Sequence, residues 1–184
     1  METLLGYDRQ DRIRLYTKLA NFLHGNMAEI GVYKGGSAKI IAENKKQDKK
    51  LFLFETYEGM PETVPKDNYH IKGNFSDTNY EIVCAGLKDF DNVHVYKGEF
   101  PKYNSKAIEL DTFSFVHIDV DIYKSYMDCL NFFWPRLVSN EIMVFDDYHE
   151  ESCLGAKKAV DDFFADKIEK PIWPCWSQAC LIKS

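Results

Sequence analysis

Several features that assign a sequence to a class are missing from this chain. No apolar run among its 184 residues approaches the roughly 18 residues of a membrane helix, and the first residues hold no apolar core of signal-peptide length. We therefore expect a cytoplasmic protein without a membrane partner. Positive charge is not in excess either, because the net charge is −6. Nucleic-acid binders usually present a basic face, so nucleic acid is not an expected partner.

Cysteine is present, but its spacing is not that of a known framework. None of the five cysteines stands in a C-x-x-C pair, the spacing of many structural zinc sites. Secreted disulfide scaffolds are shorter and denser in cysteine. We therefore expect free thiols in a reducing compartment and, for lack of paired spacing, no structural zinc site.

No internal repeat, low-complexity tract or linker divides the chain. Apolar residues make up 45% and charged residues 28% of the sequence, which is the profile of a globular protein with a core. The length fits one domain, so residues 1–184 are predicted to form a single one.

Short apolar runs alternate with helical patterns along the chain. Strands are predicted at 27–32, 49–54, 92–98, 112–119, 141–147 and 178–183. Helices are predicted at 8–25, 38–44, 76–90, 106–110, 123–134 and 155–166. This alternation predicts an α/β fold with a parallel sheet covered on both faces. Ligands of such sheets bind beyond the carboxyl ends of the strands, near the switch in strand order.

A glycine-rich turn follows the first predicted strand. The stretch "AEIGVYKGGSA" contains Gly31, Gly35 and Gly36 but matches neither G-x-G-x-x-G nor a P-loop. Glycine lets a ligand approach the backbone closely, and Ser37 is predicted to cap the next helix. The alternative is a tight turn that binds no ligand.

Glu55 ends the second predicted strand. An acidic residue at this position commonly accepts hydrogen bonds from the ribose hydroxyls of a nucleoside cofactor. A solvated loop carboxylate is the alternative. Together with the glycine turn, Glu55 favours a nucleoside cofactor. The loop that follows, residues 55–75, is long enough to be a functional lid.

Carboxylates end two later strands. Asp119 follows "SFVHI", and Asp146 and Asp147 follow "EIMVF". Adjacent strand ends would bring these side chains together, where their charges repel and raise a pKa. A divalent cation such as Mg²⁺, Mn²⁺ or Ca²⁺ removes that conflict with oxygen ligands alone. Helix capping and salt bridges are the alternatives, and Asp121 is predicted to be a cap.

Six stretches of the sequence, taken in order, resemble those of a known protein family. The stretches "AEIGVYKGGSAKIIA", "LFLFETYEGMPE", "GNFSDT", "YKGEFP", "HIDVDIYKSYMDCL" and "MVFDDY" occur in an order that resembles the macrocin O-methyltransferase family, from about residue 27 to the C-terminus. The resemblance implies a Rossmann-like class I methyltransferase fold with a mostly parallel seven-stranded sheet and helices on both faces. It also implies S-adenosylmethionine (SAM) as cofactor and an acceptor hydroxyl on a sugar, a glycan or another small molecule. Related enzymes assemble, so a homo-oligomer is an expectation on the same ground.

The resemblance also implies site residues. The metal ligands fall on Asp119, Asp146 and Asp147 for Mg²⁺ or Mn²⁺. The SAM-binding positions fall on Glu29, Gly31, Tyr33, Gly35, Ser37, Glu55, Thr56, Ser76 and Asp77. Two positions depart from the family, which often has Asp at Glu55 and Trp at Glu99.

The expected reaction transfers the SAM methyl group to a hydroxyl, which must lose its proton to a base. Asp119 is the first candidate for this base, His149 the second and His117 the third. His70 and His94 are expected at the surface. Three other functions stay open at this point: a nucleotide-binding oxidoreductase, which the missing G-x-G-x-x-G disfavours, a methyltransferase without metal, and a SAM-binding protein without catalysis.

Overall fold

A computed structural model describes residues 1–67 and 69–184. The helices are α1 (Tyr7–Ala20), α2 (Gly36–Asn44), α3 (Tyr80–Leu87), α4 (Tyr123–Phe133) and α5 (Leu154–Phe164). The strands are β1 (Asn26–Ile30), β2 (Leu51–Glu55), β3 (Val93–Lys97), β4 (Phe113–Ile118), β5 (Leu137–Phe145) and β6 (Ala179–Ile182). Short 3₁₀ turns lie at Ser105–Ile108, Trp134–Arg136 and Glu151–Cys153.

The strands form one mostly parallel sheet in the order β3-β2-β1-β4-β5-β6. Among the six strands described, only the β5–β6 pair is antiparallel. The predicted α/β fold is confirmed, with six strands described rather than the seven that the class implies. Strand order reverses between β1 and β4, which places the expected binding crevice beyond the carboxyl ends of these two strands.

The core lies on both faces of the sheet. All six residues of β4 are buried, because neighbouring side chains alternate between the two faces. One apolar cluster packs α4 and α5 against one face, and a second packs α1, α2 and α3 against the other. Since β1 and β4 are covered on both faces, their carboxyl ends are held in fixed positions.

Two predicted helix caps are wrong. Ser37 makes no cap at α2, which begins after Gly35 in a left-handed conformation, and Ser37 is buried in the first turn. Asp121 does not cap α4 either, because the Tyr123 amide donates to Asp67 Oδ1 at 2.8 Å. The cap therefore comes from the long loop, a region that local sequence does not connect with α4.

The helix predicted at 76–90 is shorter, because it begins at Tyr80. Asn79 caps it by accepting from the Ile82 amide at 2.9 Å. All five cysteines are free, as predicted. Among the residues described, no helix combines the length and apolarity needed to cross a bilayer.

Candidate active site

A cavity of about 290 Å³ opens at the carboxyl ends of β1, β2, β4 and β5. Its walls come from the glycine turn, the loop after β2, the carboxylates after β4 and β5, and the first residues of the chain. The position agrees with the binding crevice expected from strand order.

The glycine turn is shaped by protein contacts. A Cβ on Gly31 would lie 1.6 Å from the carbonyl oxygen of Asp119, so Gly31 is required where the turns after β1 and β4 approach each other. Gly35 has a left-handed φ of 81°, and a Cβ there would lie 2.2 Å from Met1 Cε. Gly31 lines the cavity and Gly35 borders it. Contacts within the chain account for the glycine at both positions without a ligand.

Glu55 joins the glycine turn to the end of β2. Its Oε2 accepts from the Tyr33 amide at 2.9 Å, and its Oε1 accepts from the Thr56 amide at 2.7 Å. Oε1 also accepts from the Thr56 hydroxyl at 3.0 Å and from the Tyr57 amide at 3.3 Å. A carboxylate offers about four lone pairs, so Oε2, with one protein donor, can still accept from a ligand. Glu55 and Thr56 line the cavity together with Tyr33.

Glu29 and His117 lie below the cavity. They occupy paired positions on β1 and β4, both are fully buried, and His117 Nδ1 lies 2.8 Å from Glu29 Oε1. Burial lowers the pKa of His117, but its hydrogen bond to Glu29 and the nearby negative charge outweigh this effect, so the pKa is raised. Neither side chain is part of the cavity wall.

The predicted carboxylates meet at the cavity wall. Asp119, Asp121 and Asp147 each offer an oxygen within 4.8 Å of the others, and Asp119 also lies in a second such group with Asp146 and His117. Burial and then the neighbouring carboxylates raise the pKa values of Asp119 and Asp121. The same two causes raise the pKa of Asp146 to about 6. The carboxylates therefore repel one another when ionised, and a bound cation would relieve that repulsion.

Arg9 already supplies part of that positive charge. Its Nη1 donates to Asp146 Oδ2 at 2.6 Å and lies 3.1 Å from Asp147 Oδ1. The other oxygen of Asp146 accepts from Gln178 Nε2 at 2.8 Å. Nothing in the local sequence around Arg9 indicated this contact, because its partners lie 137 and 138 positions away.

A second polar cluster joins the long loop to α5. His70 Nε2 lies 3.3 Å from Cys153 Sγ, which in turn lies 3.4 Å from Asp121 Oδ1. All three side chains line the cavity. The expectation that His70 lies at the surface is wrong, and sequence offered no signal for its pairing with Cys153.

Five predicted site residues do not line the cavity: Glu29 and Gly35, described above, and His149, Ser76 and Asp77. The His149 ring packs against Tyr148 and Trp173, so its role as base stays a prediction without a position in the cavity wall. Ser76 is exposed. Asp77 is exposed and accepts from the Tyr33 hydroxyl at 2.9 Å, at the outer edge of the glycine turn.

The donor set fits a hard divalent cation. Carboxylate oxygens are the ligands that Mg²⁺ and Mn²⁺ prefer, and Asp119, Asp121 and Asp147 bring three of them together. Asp121 belongs to this set although sequence indicated a cap. Asp146 is bound on both oxygens by protein donors, which leaves it less free to bind an ion than Asp147.

The strand order and the position of the cavity define a class I methyltransferase fold. The structure is similar to that of the O-methyltransferase NovP, with a TM-score of 0.87 and 22% identity over 99% of this chain and 82% of that one. The family model for macrocin O-methyltransferase (TylF) matches residues 2–180. The chain belongs to this family.

Two O-methyltransferases are similar to this chain in sequence. Demethyldecarbamoylnovobiocin O-methyltransferase of Streptomyces niveus is 25% identical over 89% of this chain. A tetracenomycin-C rhamnosyl 4'-O-methyltransferase of Streptomyces olivaceus is 26% identical over 84%. The chain spans 68% of the length of the first and 65% of the second.

Proposed function

We propose that residues 1–184 form one cytoplasmic domain that transfers the methyl group of SAM to a hydroxyl of a sugar or another small molecule. One observation carries this proposal: a single cavity lies between Glu55 and the glycine turn on one side and the Asp119 cluster on the other. A nucleoside and an acceptor hydroxyl can therefore meet in it. The printed activities of the two curated relatives, both O-methyltransferases, support the same reaction.

The cofactor side of the cavity is the turn between β1 and α2. Glu55 is fixed by three backbone amides, which holds the remaining lone pair of its Oε2 in place for ribose hydroxyls. Gly31, Tyr33, Ser37 and Thr56 line this side. Glu29, Gly35, Ser76 and Asp77 do not line it.

The acceptor side is the carboxylate cluster. Asp119, Asp147 and Asp146, with Asp121 beside them, would hold Mg²⁺ or Mn²⁺. Such an ion supplies Lewis-acid polarisation of the acceptor hydroxyl. The Asp119 carbonyl, one residue after β4, abuts Gly31 in the turn after β1, and both residues line the cavity.

The proposed reaction is a displacement at the methyl carbon of SAM. A C–O bond to the acceptor oxygen forms while the C–S bond breaks, and the sulfonium becomes a neutral thioether. The acceptor proton passes to a base, for which Asp119 is the best placed of the predicted candidates because it lines the cavity. His117 lies below the cavity wall.

Calorimetric titration with S-adenosylhomocysteine tests the cofactor side. We expect wild type to bind with or without Mg²⁺, and Glu55→Gln to bind about 10–100-fold more weakly, because a hydrogen bond to a charged acceptor contributes roughly 1.5–3 kcal/mol. Glu58→Gln is the matched control, because Glu58 is exposed and does not line the cavity. Absence of binding to wild type would exclude a methyltransferase.

Mg²⁺ titration of wild type and of the Asp146→Asn/Asp147→Asn variant tests the acceptor side. We expect binding to wild type alone, with Asp128→Asn on the outer side of α4 as control. One observation favours a second candidate, a methyltransferase that works without metal: Arg9 already pairs with Asp146 and Asp147. Metal-independent turnover in EDTA would select that candidate.

A further inference from the structure

His70 and Cys153 have no role in the methyl transfer proposed above, and they form a cluster with Asp121, which borders the carboxylates of that site. Cys153 is buried, and the side chains of His70 and Asp121 are 11% and 18% exposed. Their three ligand atoms all lie within 4.8 Å of one another. The three residues come from three separate segments: the loop after β2, the turn after β4 and the 3₁₀ turn before α5. A histidine nitrogen, a thiol sulfur and a carboxylate oxygen thus converge on one point.

The spacing of these atoms is close to that around a tetrahedral zinc ion. Zinc lies about 2.3 Å from cysteine sulfur and about 2.0–2.1 Å from histidine nitrogen, so the sulfur and nitrogen of one site lie about 3.5 Å apart. The observed distances are 3.3 Å between His70 Nε2 and Cys153 Sγ, and 3.4 Å between Cys153 Sγ and Asp121 Oδ1. The third distance, from His70 Nε2 to Asp121 Oδ1, is 3.9 Å. Shifts of a few tenths of an ångström bring all three atoms to bonding distance.

We propose that His70, Cys153 and Asp121 bind a thiophilic divalent cation, with Zn²⁺ as the preferred ion. Thiolate and imidazole select zinc over magnesium, whereas the all-oxygen cluster beside them prefers magnesium. Asp121 contributes to both clusters, so the two sites are adjacent but chemically distinct. Binding releases the thiol proton of Cys153 to solvent.

Such an ion would close one wall of the cavity. His70 is the only one of the three ligands carried by the long loop, so the ion would tie that loop to α5 and to the end of β4. Three protein ligands also leave the fourth tetrahedral position open, as in zinc sites that take water or a substrate oxygen. The proposal does not depend on methyl transfer.

Cobalt titration of the full chain in a large excess of Mg²⁺ tests the proposal, because Co²⁺ reports thiolate ligation through a charge-transfer absorption band. We expect a band that saturates at one Co²⁺ per chain and that Zn²⁺ removes. Cys153→Ser should abolish it. Cys84→Ser is the control and should retain it, because Cys84 lies in α3 away from the cluster. A band that persists in Cys153→Ser, or no band in wild type, would overturn the proposal.

His70→Asn provides an independent test if Cys153→Ser does not fold. We expect Zn²⁺ affinity to fall at least about 10-fold, since loss of an outer-shell partner alone costs 10–100-fold. Zn²⁺ should also slow tryptic cleavage at Lys66 and Lys72 in wild type but not in His70→Asn. Equal protection of both proteins would show that the loop is not held through His70. S-adenosylhomocysteine binding, measured in parallel, separates failure of this site from failure of the proposed methyltransferase.

Discussion

Arg9 in α1 donates to Asp146 at the end of β5 across a distance of 2.6 Å. The contact links the first helix to a buried carboxylate of the active-site cluster, and the Arg9 side chain is only 17% exposed. Asp147 shares the same guanidinium at 3.1 Å. The N-terminal helix is therefore part of the electrostatic balance of the site and not only a cover of the sheet.

Replacement of Arg9 by methionine should make stability depend on metal. Loss of one partner of a buried ion pair costs about 3–5 kcal/mol, and partial exposure reduces this to about 2 kcal/mol. We expect thermal unfolding to show that loss in EDTA and much less of it in Mg²⁺, because the ion would neutralise the same carboxylates. Arg14→Met, on the exposed side of α1, is the control. Equal losses in EDTA and Mg²⁺ would argue against a cation at this cluster.

Asp119→Asn should separate catalysis from cofactor binding. Turnover with an accepted hydroxyl substrate should fall about 10²–10⁴-fold, the usual contribution of a positioned base. The affinity for S-adenosylhomocysteine, measured by calorimetry, should change only a few-fold, because Glu55 lies on the opposite side of the cavity. Asp128→Asn should behave as wild type in both assays. A turnover close to wild type in Asp119→Asn would transfer the role of base to another residue.

Gly31→Ala should be among the most destabilising single changes in the chain. The new methyl would lie 1.6 Å from the Asp119 carbonyl oxygen, and the strands on both sides are buried and cannot separate easily. We expect a loss of more than about 4 kcal/mol or no soluble protein. Gly73→Ala is the matched control, because Gly73 has the same φ of 88° as Gly31 but a Cβ added to it would have no atom within 4 Å. That control should cost about 1–2 kcal/mol from backbone strain alone. Similar melting temperatures for the two variants would contradict the close approach of β1 and β4.

Glu141 should make the free energy of unfolding depend on pH. Both of its carboxylate oxygens are buried without a hydrogen-bond partner among the described residues. Burial raises the pKa of Glu141 well above its ordinary value, and Lys183 offsets this only in part. A carboxyl with a higher pKa in the folded state holds its proton there while the unfolded chain has lost it. The free energy of unfolding therefore falls as pH rises from about 4.3 through the folded-state pKa.

The test compares wild type with Glu141→Gln at pH 5 and pH 8. Glutamine cannot ionise, so this position of the variant adds no loss of stability between pH 5 and pH 8. The melting temperature of the variant minus that of wild type should therefore be about 3 °C or more larger at pH 8 than at pH 5. Glu81→Gln, at the exposed start of α3, should show no such change. A difference that is constant with pH would mean that folding does not raise the pKa of Glu141.

The strand ends were predictable because they depend on local pattern. Apolar runs that stop at Glu55, Asp119 and Asp146 mark the carboxyl edge of a parallel sheet, and the structure brings Glu55 and Asp119 to one cavity and places Asp146 within the same carboxylate cluster. The alternation of strands with helices predicted the α/β fold for the same reason. These features need only the period of each segment and the rule that parallel strands end at one edge.

The contacts between distant segments were not predictable. Arg9 lies on a helix whose partner carboxylate is 137 positions away, and His70 lies in a loop without periodicity. Asp121 was assigned as a cap because it precedes a helix, but Asp67 fills that role from 56 positions earlier. Local sequence gives the chemistry of such side chains but not the tertiary contact that they make.

The cap on α4 has a dynamic consequence. Asp67 reaches the Tyr123 amide only because Gly155 has no side chain, since a Cβ there would lie 1.9 Å from Asp67 Oδ1. The long loop, the start of α4 and the start of α5 are thus interlocked at one point. Opening of the loop exposes the Tyr123 amide to solvent, so the loop and the first turn of α4 should open as one cooperative unit. Hydrogen exchange at this single amide therefore reports how often the cavity is open.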